Sequence, residues 1–248
     1  MEPSYNAYEF LFRFLTVFMV IKYRILVNGN SLSFRGGFFG FSSVVLIDVP
    51  DTAPILFDTG HHSTRLLLLN ALKQHGLSPQ DIGTVFLSHL HFDHINNIDL
   101  FPNADIYFSA KEWEYAQNPA TADTFGSIAM NAYLKARTPQ LLDAHEGELK
   151  PGLFYRHAPG HTPGSMLLHF TNHANQTIVL AGDACKTYRE LVTYTVESEF
   201  DPQQRSAATL KWIATHADVV VPGHFAELHR SPNGWTWESP THLDLIVR

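Results

Sequence analysis

The chain has 248 residues, 45% of them hydrophobic, which is enough for one domain with a substantial core. A formal net charge of −7 argues against a nucleic-acid binder, which needs a basic face or stripe. A single cysteine, Cys185, excludes an internal disulfide framework and thiolate-rich metal sites, and fits a reducing, cytoplasmic setting.

Residues 1–15 read as an extension ahead of the core, and 16–248 as a single domain. The apolar run 10–21 is twelve residues long and is interrupted by Arg13. A membrane helix needs roughly 20 apolar residues, and the start of the chain has no basic region or small-residue cleavage site. The run therefore predicts a buried strand or short helix and no integral membrane span. Residues 16–34 predict strand, turn, strand, with Asn28-Gly29-Asn30 as the turn signal. "FRGGFFGF" (34–41) predicts a loop, and 42–49 with 53–60 a hairpin around Pro50–Thr52. Leucines at helical spacing predict a helix over 62–76, stopped by Gly76. Strands follow at 81–88 and 104–109. Residues 110–144 carry little strand signal and predict a helical and loop insertion, close after the histidine-rich stretch 89–94 and beside the site that stretch would build. Strands are expected again at 152–158, 165–170 and 177–183. A helix is expected at 201–217 with Asp201 as N-cap, and a last strand at 218–224. This order suits a β-sandwich with helices on its outer faces better than a doubly wound sheet, which alternates more regularly.

Four segments share one grammar: "SHLHFDH" (88–94), "APGHTPGS" (158–165), "LAGDACK" (180–186) and "VVPGHFAE" (220–227). Each follows an apolar run and places His or Asp at a turn. Loops at strand ends are held by a rigid scaffold and can converge. Imidazole and carboxylate groups suit zinc and other borderline divalent metals. His89 and His91, two apart, could reach one ion, with His161 completing a set. Asp93, His94 and His224 could hold a second ion. Asp183 could bridge the two, because a carboxylate has two oxygens to share. Five of the fifteen histidines lie in these segments; the others lack comparable context and read as surface or hydrogen-bonded residues. Cys185 reads as a packed small hydrophobe rather than a ligand.

With "HLHFDH", His161, Asp183 and His224 in this order, the chain resembles the metallo-β-lactamase superfamily of hydrolases over roughly residues 16–230. The resemblance implies an α/β fold, an αββα four-layer sandwich. It implies His89, His91 and His161 at a first metal, Asp93, His94 and His224 at a second, and Asp183 between them. It also implies that Asp58 of "LFDTG" supports the site from behind the ligands. Two zinc ions per chain are expected, and manganese or iron also suits an all-His/Asp set. "LSHLHFDHINNIDLFPNADIYFSAKEWEYA" is similar to the N-acyl homoserine lactonases, which implies hydrolysis of a lactone through attack by a metal-bridging hydroxide. "PGHTPGSMLLHF" also suits the hydroxyacylglutathione hydrolases, so thioester hydrolysis is the alternative. A metal-stabilised scaffold protein without activity is the third reading. The lactonases carry a tyrosine three residues after the bridging aspartate. Lys186 stands there instead, with Tyr188 two positions on. Asp93, Lys186 and Tyr188 are therefore the expected catalytic residues, and Phe38, Phe39 and Phe41 the expected wall for a small-molecule substrate. Exposed apolar loops would also suit a homodimer interface.

Overall fold

The computed structural model describes residues 20–238. The expected N-terminal extension, and nearly all of the apolar run 10–21, lie outside the described residues. A six-stranded sheet runs in the order β1 (Lys22–Val27), β4 (Val44–Asp48), β5 (Ile55–Phe57), β6 (Thr84–Phe86), β7 (Asp105–Ser109), β8 (Gln140–Leu142). β2 (Ser33–Phe34) and β3 (Gly37–Phe38) form a separate small hairpin. A seven-stranded sheet runs from β15 (Gly234–Thr236) and β14 (Leu228–Ser231) through β13 (Val219–Pro222), β12 (Thr177–Gly182) and β11 (Met166–Thr171). It ends with β10 (Leu153–His157) and β9 (Glu146–Lys150). The helices are α1 (Arg65–Gln74), α2 (Phe92–Ile95), α3 (Ala110–Gln117), α4 (Ile128–Ala136), α5 (Tyr188–Thr193) and α6 (Ser206–His216).

Alternation of side chains along the strands builds the layers. On β4, Val44 and Leu46 pack outward with Leu68 and Leu72 of α1. Val45 and Ile47, one residue out of phase, pack inward. β12 divides the same way: Ile178 and Leu180 face the other sheet, whereas Val179 and Ala181 face Leu210 and Ile213 of α6. Three apolar layers thus separate four structural ones, helix, sheet, sheet, helix. A central strand buried on both faces must be apolar at every position, which is why "VVLID" and "TIVLAG" read as continuous runs. This is the αββα sandwich implied by the sequence.

The 110–144 segment contains α3, α4 and β8. Serines at both helix starts accept from the first turn: Ser109 from Lys111 N and Glu112 N, and Ser127 from Met130 N. β8 then joins the first sheet parallel to β7.

Several local expectations fail. The 34–41 segment, expected as a loop, folds into the β2–β3 hairpin, and the 110–144 segment, expected as helix and loop, adds strand β8 to the first sheet. Asn28-Gly29-Asn30 is not a hairpin turn, since β1 pairs with β4 rather than with the strand that follows it. The loop is instead pressed against the core. A Cβ on Gly29 would lie 2.2 Å from the Gly223 carbonyl, so the glycine serves close packing. Asp201 does not cap α6, which begins at Ser206. Its carboxylate is taken by Arg205 Nε at 2.6 Å and by Gln203 N, and Glu199 accepts from Ser206 N at 2.8 Å instead.

Phe86 is fully buried between the sheets and stacks on Phe57 at 5.9 Å. Phe86→Ala is expected to lower the unfolding free energy by about 3–5 kcal/mol, read from urea unfolding of the metal-free protein. A loss below about 1 kcal/mol would mean that the inter-sheet core is not packed as described.

Candidate metal centre

The His and Asp residues of the four segments lie in the loops, and one helical turn, that follow strands β6, β10, β12 and β13. β6 delivers Ser88 and His89, and the chain then turns into the single turn of α2, placing His91 at its N-cap and Asp93 and His94 within it. Asp183 follows β12 and His224 follows the neighbouring parallel strand β13. Their loops are tied together: Gly223 N donates to Gly182 O at 2.9 Å, and His224 N to Lys186 O at 2.9 Å. No side chain fits at position 223, where a Cβ would lie 2.2 Å from Asp183 Oδ1. His161 comes from the β10–β11 loop.

The two oxygens of Asp183 point to different histidines. Oδ2 lies 3.3 Å from His161 Nε2 and 4.0 Å from His89 Nε2. Oδ1 lies 3.2 Å from His94 Nε2 and 3.2 Å from His224 Nε2. His161 Nε2 and His91 Nδ1 are 2.9 Å apart, and Asp93 Oδ2 is 3.3 Å from His224 Nε2. Three groups therefore have ligand atoms within 4.8 Å of one another: His89, His91 and His161; His89, His94 and Asp183; and Asp93, His94 and His224.

The outer hydrogen bonds decide which nitrogen of each ring faces inward. His91 Nε2 meets Asp123 Oδ2 at 2.9 Å, and His94 Nδ1 meets Asp58 Oδ2 at 2.7 Å. His161 Nδ1 meets the Ser198 carbonyl at 3.3 Å, and His224 Nδ1 the Asn30 carbonyl at 3.1 Å. His89 Nδ1 meets Ser88 Oγ at 3.1 Å; that hydroxyl already donates to Asp58, so it accepts here. Each ring thus donates outward and, when neutral, turns a lone pair inward. Lone pairs converging on carboxylates need a cation among them. The buried Nε2 atoms of His89 and His94 and Oδ1 of Asp183 have no hydrogen-bond partner, a costly condition in a core that metal ligation relieves. The residues fit two divalent ions.

Electrostatics agree. Burial opposes charge on His94, but Asp183, Asp93 and Asp58 outweigh it and hold the imidazole well above its ordinary value. His224 is pushed up to about 9 by Asp183 and Asp93 against the same burial. His89 and His161 go the other way. Burial pushes both well below the ordinary value, helped by His94 beside His89 and Lys186 beside His161. Burial also disfavours the Asp183 carboxylate, yet Lys186, His224 and His94 keep it ionised.

A cavity of about 430 Å³ opens over His91, Asp93, Asp183 and His224. Lys186 lines it with its Nζ 3.1 Å from Asp183 Oδ2. Phe38 forms part of the wall with Phe125, 5.9 Å away. Phe39 is exposed and packs on Phe34, and Phe41 packs against the first-sheet core, so neither lines this cavity. Tyr188 does not line it either; its ring rests on Trp237 at 4.7 Å. Asp58 stands behind His94 and also accepts from Ser88 N at 2.7 Å. Cys185 is buried in the apolar layer under α6.

Several residues carry no sequence signal. Asp123, in the insertion, holds His91. Glu112 is buried and accepts from Leu90 N at 3.0 Å and Thr162 Oγ1 at 2.6 Å, tying the first histidine loop to the His161 loop. Phe200 packs on both His91 and His161. All three lie far in sequence from what they touch, so no local pattern announces them.

Residues 37–224 match the metallo-beta-lactamase superfamily. The metallo-beta-lactamase domain-containing protein 1 of Xenopus laevis is 31% identical over 204 residues, 81% of this chain and 78% of that protein. An N-acyl homoserine lactonase of a Bacillus species is 30% identical over 166 residues, 66% of this chain and 64% of that protein. A metallo-beta-lactamase-like protein of Thermotoga maritima superposes with a TM-score of 0.67 at 23% identity, covering 85% of this chain and 99% of the other.

Two outcomes test this geometry. Zinc binding at pH 7 should release a proton from His224, which Asp183 and Asp93 push up to about 9 without metal. Calorimetry in two buffers of different ionisation enthalpy reads the release, and identical heats would reject it. Asp183→Ala should cost binding of both ions, measured as metal per chain. Retention of two tightly bound ions would show that this carboxylate is not shared.

Proposed function

The chain belongs to the metallo-beta-lactamase superfamily, and on that premise we propose that it is a dinuclear metal-dependent hydrolase of an ester-type bond, with a lactone as substrate class. The observation that carries this reading is Asp183, whose two oxygens face two separate histidine sets at the floor of an open cavity. A structural zinc site is closed and four-coordinate; an open floor with ligands for two ions suits catalysis. His89, His91 and His161 would hold one ion, Asp93, His94 and His224 the other, with Asp183 between them and zinc the metal that best matches the set. When bound, the pair supplies a water deprotonated at neutral pH and a Lewis acid for the substrate carbonyl. The lactonase relative in Bacillus supports the lactone.

The chain's own residues account for the remaining steps. Lys186 presents a charged amine to the cavity, with burial opposed by the Asp183 and Asp93 carboxylates. There it donates to the carbonyl oxygen as negative charge develops. Asp93, beside the same cavity, would take the one proton left on the hydroxide oxygen once it has added to the carbonyl and pass it to the leaving oxygen as the ester C–O bond breaks. Phe38 and Phe125 offer an apolar surface to the acyl part. Asp58 holds the His94 ring in place through Nδ1.

One observation favours a second reading. Arg189 lines the cavity beside Lys186 and is held only by an exposed pair with Glu197, so its guanidinium suits a substrate with a carboxylate, such as a thioester of hydroxyacylglutathione type. Among the described residues no helix is long and apolar enough to cross a membrane. The lone, buried Cys185 is in keeping with a cytoplasmic setting.

Turnover of acyl homoserine lactones, glutathione thioesters and β-lactams, with and without chelator, discriminates these readings. Chelator-sensitive lactone hydrolysis is expected, and thioester preference would move the assignment to the second reading. Lys186→Met should lower lactone kcat about 100- to 1,000-fold with two metals per chain retained. An unchanged kcat would remove Lys186 from the reaction.

A further inference from the structure

Asp123 lies between α3 and α4, in a part of the chain that contributes nothing else to the metal cluster. It is nevertheless buried, and each carboxylate oxygen is committed. Oδ2 is 2.9 Å from His91 Nε2 and accepts from Tyr115 Oη at 2.7 Å. Oδ1 accepts from Phe125 N at 3.0 Å. The segment is fastened to the histidine motif by backbone as well. Phe92 N donates to Phe125 O at 2.9 Å, and His91 forms an antiparallel bridge with Gly126. Phe125 covers the His91 ring at 5.4 Å.

The other rings are oriented differently. His94 is held by Asp58, which follows β5 of the same sheet that carries the motif. His161 and His224 meet backbone carbonyls, and His89 meets a neighbouring hydroxyl. His91 alone among the five takes its outer partner from the insertion. His91 is also the N-cap of the four-residue α2, whose side chain makes no capping bond. Its ring has no local device to hold it.

We propose that Asp123 is a positioning residue of the metal centre, clamping His91 through Nε2 so that Nδ1 faces the ions, and that the centre is complete only when the 110–144 insertion is docked on the motif. The proposal rests on the reading of the cluster as a metal site. It makes the insertion part of metal binding as well as part of the cavity wall. A carboxylate behind a ligating imidazole fixes its tautomer and orientation, and losing one typically costs about 10- to 100-fold in metal affinity.

Competition for zinc between the purified full-length chain and a chromogenic chelator at pH 7 tests this, together with the thermal midpoint of each metal-free protein. Wild type should take up two zinc ions. Asp123→Ala should weaken one of the two about 10- to 100-fold. Asp123→Asn, which keeps an acceptor for Nε2–H without the charge, should lose less. Tyr115→Phe, which removes one support of the carboxylate, should lose least. The last two variants should keep the metal-free midpoint of wild type, so the test survives if the alanine variant does not fold. Unchanged zinc affinity in all variants, with wild type still binding two ions, would overturn the clamp alone. Equal weakening of both ions in step with a lowered metal-free midpoint would also overturn it. A wild-type chain that binds no zinc would overturn the metal reading and the clamp with it.

Discussion

The structure turns on one buried carboxylate. Asp183 is almost wholly removed from water, and an unpaired charge in that position costs several kcal/mol after relaxation. It is held ionised by Lys186 and by imidazoles from three other loops. An exposed pair such as Arg189–Glu197, both mostly solvated, is worth at most about 1 kcal/mol. The Asp183 cluster is different in kind, because each partner's position is conditional on the rest. Taking away either the cations or the aspartate leaves buried groups without compensation.

That requirement explains the loops. Cations can converge on one carboxylate only if several strand ends reach the same edge of the sandwich. β6 from one sheet and β12 and β13 from the other supply those ends, and the inter-sheet core of Phe57, Phe86, Leu168 and Leu180 keeps them in register. Glu112 then stitches the His89 loop to the His161 loop. Gly164 permits this closeness: a Cβ there would lie 2.1 Å from Glu112 N. The stability of the sandwich and the convergence of these His and Asp side chains are therefore one problem. The apolar layers fix the strands, and the strands aim the loops.

Much of this is legible in the sequence, for a physical reason in each case. Strands buried on both faces must be apolar throughout, so β4, β12 and β13 announce themselves. Side chains delivered to one site by one turn of backbone must be close in sequence, so His89, His91, Asp93 and His94 stand together. Where local patterns fail, a distant contact has overridden them. Asn28-Gly29-Asn30 has the composition of a hairpin turn, but Gly29 is glycine because Gly223 and Ser43 press against it. Asp201 has the character of an N-cap, but Arg205 takes its carboxylate first. Tyr188 sits near the right place in the chain, yet opens a helix whose packing turns its ring onto Trp237.

The sequence by itself determined the types and order of the candidate ligands and the layered fold, because periodicity and residue chemistry are local properties. Only the tertiary structure decided how those ligands are oriented. Which nitrogen of each ring faces inward depends on Asp58, Asp123, Ser198 and Asn30, residues between 32 and 194 positions from the histidines they hold, with Ser88 beside His89 the one neighbour. Hydrogen bonds across such separations leave no periodic trace. They exist only once the sheets have packed and the insertion has come to rest against the motif.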